Sequence, residues 1–234
     1  MSDELEFYPC MVDGAPASIY VNLKFEQSTG GNRYTVAIAM REQGEYGIGS
    51  AAEAEALDLV EQAIIARGVE LSIEYVGRIR TRGIWETVLY GVDGQLAALR
   101  QVAIDRAGDR RIDARSEPDP TWRYYRELLL PDAERRQWMD DRRMVQILAE
   151  QGDRLSTPRR VDHRLTFSST AARQAFLTVA EAAGFTTVEA EDALRAHVYR
   201  VDSVELDHIH DVVMLLVDAA KDGSYERWVA GICS

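Results

Sequence analysis

From Arg159 to Cys233 the hydrophobic pattern keeps changing period, and this constrains the fold more than any other feature of the chain. RVDHRLTF alternates apolar and polar residues, the period of a strand with one buried face. Ser168 or Ser169 then caps a helix through Ala183, with Ala172, Ala175, Phe176, Val179 and Ala180 as its stripe and Gly184 as its stop. FTTVEA and LRAHVYRV read as two further strands. Asp202, with Glu205 three residues on, opens a helix carrying Ile209, Val212, Val213, Leu216 and Ala220, and Gly223 ends it. YERWVAGIC closes as a strand.

The order β-α-β-β-α-β is that of a split βαβ, ferredoxin-like sandwich. The first half of the chain gives a different order. ASIYVNLKF alternates through Ala17, Ile19, Val21, Leu23 and Phe25, STGGN supplies a turn, and RYTVAIAM alternates through Tyr34, Val36, Ile38 and Met40, which predicts a hairpin. Ser50 with Glu53 forms a capping box for a helix to Arg67, stopped by Gly68. LSIEYVGRI and IWETVLYG are strands around the turn TRG, QLAALRQVA is a short helix, and RRIDARSE is a last strand. The expected class is α+β: two domains, each a mostly antiparallel sheet with helices on one face. They span residues 1–130 and 157–234. Residues 131–156 join them, as a helix from Pro131 to a stop at Gly152, with the stripe Trp138, Val145 and Leu148, followed by a linker.

The net charge of −12 is spread over both ends, −7 in residues 1–130 and −5 in residues 160–234. Such a surface repels a polyanion and speeds encounter with a basic protein segment, so a protein partner is expected and direct nucleic-acid binding is not. The acidic start MSDELEFYPC has no signal-peptide pattern, no apolar run approaches a membrane span, and Cys10 and Cys233 form no metal or redox motif. A soluble cytoplasmic protein with free thiols is expected.

The acid–imidazole neighbours Asp162 and His163 invite a catalytic reading. Strand alternation opposes it: His163 shares a face with Val161, Leu165 and Phe167, Asp162 with Arg160, Arg164 and Thr166. His163 is therefore expected as a hydrogen-bonded core histidine. His208 and His210 lie about 200° apart on a helix and cannot chelate one ion, and His197 stands alone on a strand. No cofactor motif is visible, and GIGSAAE reads as a loop into the helix cap. RIRTR (78–82) and RRQWMDDRR (135–143) read as solvated faces.

Two stretches bear family resemblances. PRRVDHRLTF, AARQAFLTVAEAAGF and GSYERW resemble the regulator of ribonuclease E activity B family over residues 157–231, through Val161, Asp162, His163, Phe167, Gly184, Phe185, Gly223, Tyr225 and Trp228. This chain departs from it at Arg164, where an aromatic often follows Asp-His, and at Glu226-Arg227, where an acidic-Gly pair often stands. FYPCMVDGAPASIYVNL, YVGRIRTRG and DPTWRYYRELLLP resemble domain of unknown function family 695 over residues 7–131.

The resemblance implies a non-enzymatic regulator that binds and inhibits a ribonuclease E-type endoribonuclease. Asp162, Arg164, Tyr225 and Trp228 are the candidate partner-binding residues, with core packing at the sheet edge an equal reading of Tyr225 and Trp228, and with no catalytic, cofactor or metal residue. Two alternatives stand beside it: an enzyme or ligand-binding protein with a site between the domains, using His163 and His208 or His210, and an interaction module with an unrelated partner.

Overall fold

The structure, a computed structural model, describes residues 5–26 and 30–233, and the chain divides into two compact units, Met1–Arg135 and Arg136–Ser234. In the first unit the strands are β1 Leu5–Val12, β2 Ala15–Asn22, β3 Asn32–Ala39, β4 Glu74–Thr81, β5 Ile84–Gly91 and β6 Ile112–Pro118. They form one antiparallel sheet in the order β1-β2-β4-β5-β3-β6. Helices α1 (Ala51–Glu70) and α2 (Leu96–Ala107) bury Leu57, Ile64 and Leu99 against Tyr34, Val36, Trp85 and Leu89 of the sheet.

The α+β class holds, but the expected β2–β3 hairpin does not form. β2 pairs with β1 and β4, while β3 pairs with β5 and β6, so the β4–β5 hairpin is inserted between them. Part of the proposed turn, residues 28 and 29, lies outside the described residues. Alternation reports which face of a strand is buried and says nothing about its lateral neighbours. β2 and β3 also bury Ser18 and Thr35 on their other faces, as interior strands do.

That other face has its own cover. Tyr90, next in sequence to Leu89 and hence on the opposite side of β5, lies 5.6 Å from Phe25, which meets Tyr125 edge-on at 5.0 Å. Tyr125 opens a π-helical turn, Tyr125–Leu129. Its hydroxyl donates to the Asn22 carbonyl at 2.7 Å, and that of Tyr8 donates to the Leu129 carbonyl at 2.8 Å. This unit is therefore covered on both faces, and only the two α-helices share one.

Local signals at α1 are half realised. The Ser50 hydroxyl accepts from the Glu53 amide at 3.2 Å, but the Glu53 carboxylate turns inward to accept from the Arg41 amide and the Arg110 guanidinium. Gly68 does not stop the helix, which runs on to Glu70. In β4 a bulge between Tyr75 and Gly77 presses the chain against β2, and a Cβ on Gly77 would sit 2.5 Å from the Tyr20 carbonyl oxygen. Gly77→Ala is expected to cost about 1–3 kcal/mol of stability, read as a lower urea midpoint. An unchanged midpoint would show that the strand can shift there.

In the second unit β7 Arg159–Phe167, β8 Thr186–Val188, β9 Arg195–Asp202 and β10 Gly223–Ala230 form a sheet in the order β10-β7-β9-β8, every pair antiparallel. Helices α4 (Thr170–Ala182) and α5 (Leu206–Ala219) complete the β-α-β-β-α-β order. Helix α3 (Ala133–Glu150) adds Val145 and Leu148 to the same core, beside Val161, Leu165, Phe176 and Leu216. Each large apolar side chain buried here contributes roughly 1.5–3 kcal/mol.

Three details differ from the pattern. Of the two expected caps Ser169 takes the role at α4, as read, but Leu177 is buried where Val179 was expected, Val179 being 49% exposed. Helix α5 starts at Leu206 because Asp202 is still in β9, where its carboxylate accepts from Arg200 and from His208. Gly223 opens β10 instead of ending α5.

Candidate functional site

β7 shows the alternation its sequence demands, with Arg159, Val161, His163, Leu165 and Phe167 buried. His163 is fully buried, its Nδ1 shares a 2.7 Å hydrogen bond with the Tyr225 hydroxyl, and Phe185 stands edge-on to its ring at 5.6 Å. Its Nε2 has no partner among the described residues. Burial lowers its pKa to about 4, so the ring is neutral in the folded unit at neutral pH. This is a core histidine, shielded from solvent.

Asp162 faces the other way. Its carboxylate accepts from Arg160 Nε at 2.9 Å and Nη2 at 2.6 Å, and from His197 Nε2 at 2.7 Å. The Arg160 hydrogen bonds hold its pKa below the usual range, against a smaller opposing effect of burial. Arg160 also lies over the Tyr199 ring at 3.9 Å. The open face of this sheet thus carries a paired acid, a histidine and an arginine-covered tyrosine.

The four sequence candidates separate accordingly. Asp162 and Arg164 lie on the open face, Arg164 exposed. Tyr225 points inward to His163, and burial raises its hydroxyl pKa. Trp228 is 2% exposed and its Nε1 donates to Asp141 at 3.0 Å, so its ring belongs to the core and presents no surface to a partner in this conformation.

Asp141 is the residue that sequence reasoning missed. It is a nearly fully buried carboxylate on α3 that accepts from Trp228 on β10, from Gln137 at 3.0 Å and from His210 Nδ1 of α5 at 2.8 Å. Burial raises its pKa, opposed by those hydrogen bonds. A signal was present: positions 138, 141, 145 and 148 fall on one helical stripe, so Asp141 occupies an apolar position. His208 and His210 bind different carboxylates, Asp202 and Asp141. Among the described residues no three His, Cys, Asp or Glu side chains could hold a metal ion, and both cysteines are free.

In the first unit the RIRTR run is structural, a correction to its reading as a solvated face. Arg78 pairs with Asp58 at 2.8 Å and buried Glu61 at 2.7 Å and lies 4.3 Å over Trp85, while Arg80 donates to Ser18. A cavity of about 630 Å³ opens over Thr35, Ala37 and Ala39 of β3. Several of its polar walls are paired with one another: Arg33 with Glu117 and over the Tyr124 ring, and the Tyr124 hydroxyl donating to Glu86 at 2.6 Å.

No described helix is long and apolar enough to cross a membrane. Residues 3–130 match the family model described as family of unknown function (DUF695), and residues 138–228, which take in most of α3, match the model described as regulator of ribonuclease activity B. No curated protein matches the chain.

Proposed function

The chain belongs to the family of unknown function DUF695, and since that family brings no activity, we propose a function from the second unit: a non-enzymatic, protein-binding inhibitor of a ribonuclease E-type endoribonuclease. The observation that carries this reading is the match of residues 138–228 to the regulator of ribonuclease activity B. Charge supports it. The chain carries a net −12, and Asp207, Asp211, Asp218 and Asp222 lie exposed along and just beyond α5, where a basic arm would be attracted. The placement of His163 in the core and of His197, His208 and His210 on separate carboxylates also favours a binding role over a convergent catalytic site. We read the β-α-β-β-α-β unit as ferredoxin-like and the protein as cytoplasmic.

The experiment adds the full chain to ribonuclease E cleaving a structured RNA, with capture of the enzyme at low and high salt. Cleavage is expected to slow, and capture to weaken as salt rises. Unchanged cleavage with no capture at low salt would end this reading. Capture without an effect on cleavage would leave an interaction module.

A further inference from the structure

On the open face of the second sheet the register aligns Arg227 of β10, Arg164 of β7 and His197 of β9 in one row across three strands. Arg227 and Arg164 are direct cross-strand neighbours, both are exposed, and neither has an ion-pair partner among the described residues. Like charges directly opposite each other destabilise a sheet. Arg195 on β9, paired with Asp192 at 3.7 Å, stands one step along, and Arg164, Arg195 and His197 line a hollow of about 370 Å³ rimmed by Glu191, Asp192 and Glu226. Beyond the row, Val201 and Val229 stand 62% and 42% exposed on either side of the Arg160–Asp162 pair.

We propose that this face is a docking surface for an acidic, aliphatic-containing segment of a partner protein, whose carboxylates sit on the Arg227–Arg164 row while its apolar side chains cover Val201 and Val229. Unpaired like charges on a rigid sheet are what an anionic ligand relieves, and guanidinium–carboxylate bonds are the strong charge-assisted kind. The features that would suit a single-stranded nucleic acid are missing. Among the described residues the one tyrosine on this face is already covered by Arg160, and the rim of three carboxylates opposes a continuous phosphate backbone running across the hollow. Its Arg164–Arg227 row is distinct from the acidic face of α5 that a basic arm would use, and it stands whether or not the chain regulates a ribonuclease.

The test measures binding of the full chain to a fluorescein-labelled peptide of Asp-Leu-Glu repeats, with a Lys-Leu-Arg peptide and labelled oligouridylate as competing probes. The acidic peptide is expected to bind preferentially, and the variant carrying Arg164→Glu and Arg227→Glu to bind it at least about tenfold more weakly. Arg227→Glu alone is expected to weaken binding while raising the thermal midpoint, because it turns a repulsive pair into an attractive one; a purely structural arginine would not separate the two readouts. Equal binding by wild type and variants, no binding of the acidic peptide, or preferential binding of oligouridylate that is lost in the same variants would each overturn the proposal.

Discussion

Asp141→Ala is expected to lower the stability of the second unit by about 3–5 kcal/mol, the usual cost of leaving a buried polar or charged network without one member. The residue ties three elements together: α3 through its own backbone and Gln137, β10 through Trp228, and α5 through His210. Its loss strands the Trp228 Nε1–H in the interior and leaves the half-buried His210 ring without its carboxylate. Urea unfolding followed by tryptophan fluorescence reads the effect. Asp141→Asn retains an oxygen acceptor and is expected to lose less. A loss below about 1 kcal/mol for the alanine variant would mean that the network contributes little beyond its desolvation cost.

The second large effect is on pH dependence. The folded unit prefers neutral His163, whose pKa falls from 6.5 to about 4, chiefly through burial, opposed by the Asp202 carboxylate and assisted by the nearby Arg200 charge. Between those values the unfolded chain binds more protons than the folded one. The stabilisation from keeping His163 neutral is therefore complete above pH 6.5 and is lost as the pH falls toward 4, by about 3 kcal/mol in all. Asp162 and Asp202, whose pKa values are lowered, lose their contributions only at more acid pH. His163→Gln keeps a polar group beside Tyr225 but cannot titrate, so its urea midpoint should be flatter between pH 4 and 6.5. The same slope in wild type and variant would assign the acid sensitivity elsewhere.

The second unit was more legible in the sequence than the first, and glycines show why. Gly152 and Gly184, read as helix stops, take φ of +79° and +86°, the left-handed geometry such a stop requires. Gly68 and Gly223, read the same way, are small for another reason: a Cβ would lie 3.0 Å from Leu89 Cδ2 in one case and 2.5 Å from Phe167 Cε1 in the other. A glycine kept for tertiary contact looks identical in sequence to one kept for its φ.

β1 was missed because Pro9 interrupts its run, although Pro is tolerated on an edge strand and the Asp13-Gly14 turn, with both residues at positive φ, signals the hairpin. The split of Asp162 from His163 was readable because β7 alternates without a break. For Trp228 core packing and partner contact stay equally open in the sequence, since the register irregularity between Tyr225 and Arg227 interrupts the alternation just before it.

The Asp141 network also bears on where this protein can be cut. The repeating pattern that looks like a self-contained domain begins near residue 157, yet the acceptor for its most deeply buried indole lies sixteen residues earlier, on a helix whose sequence reads as a spacer. A fragment starting at 157 would carry Trp228 and His210 without their shared carboxylate, and would expose the core where Val145 and Leu148 had covered it. The smallest piece that keeps its own interior closed therefore includes α3. In this chain the visible strand–helix pattern starts later than the physical unit of folding, and the family match, which begins at residue 138, follows the latter.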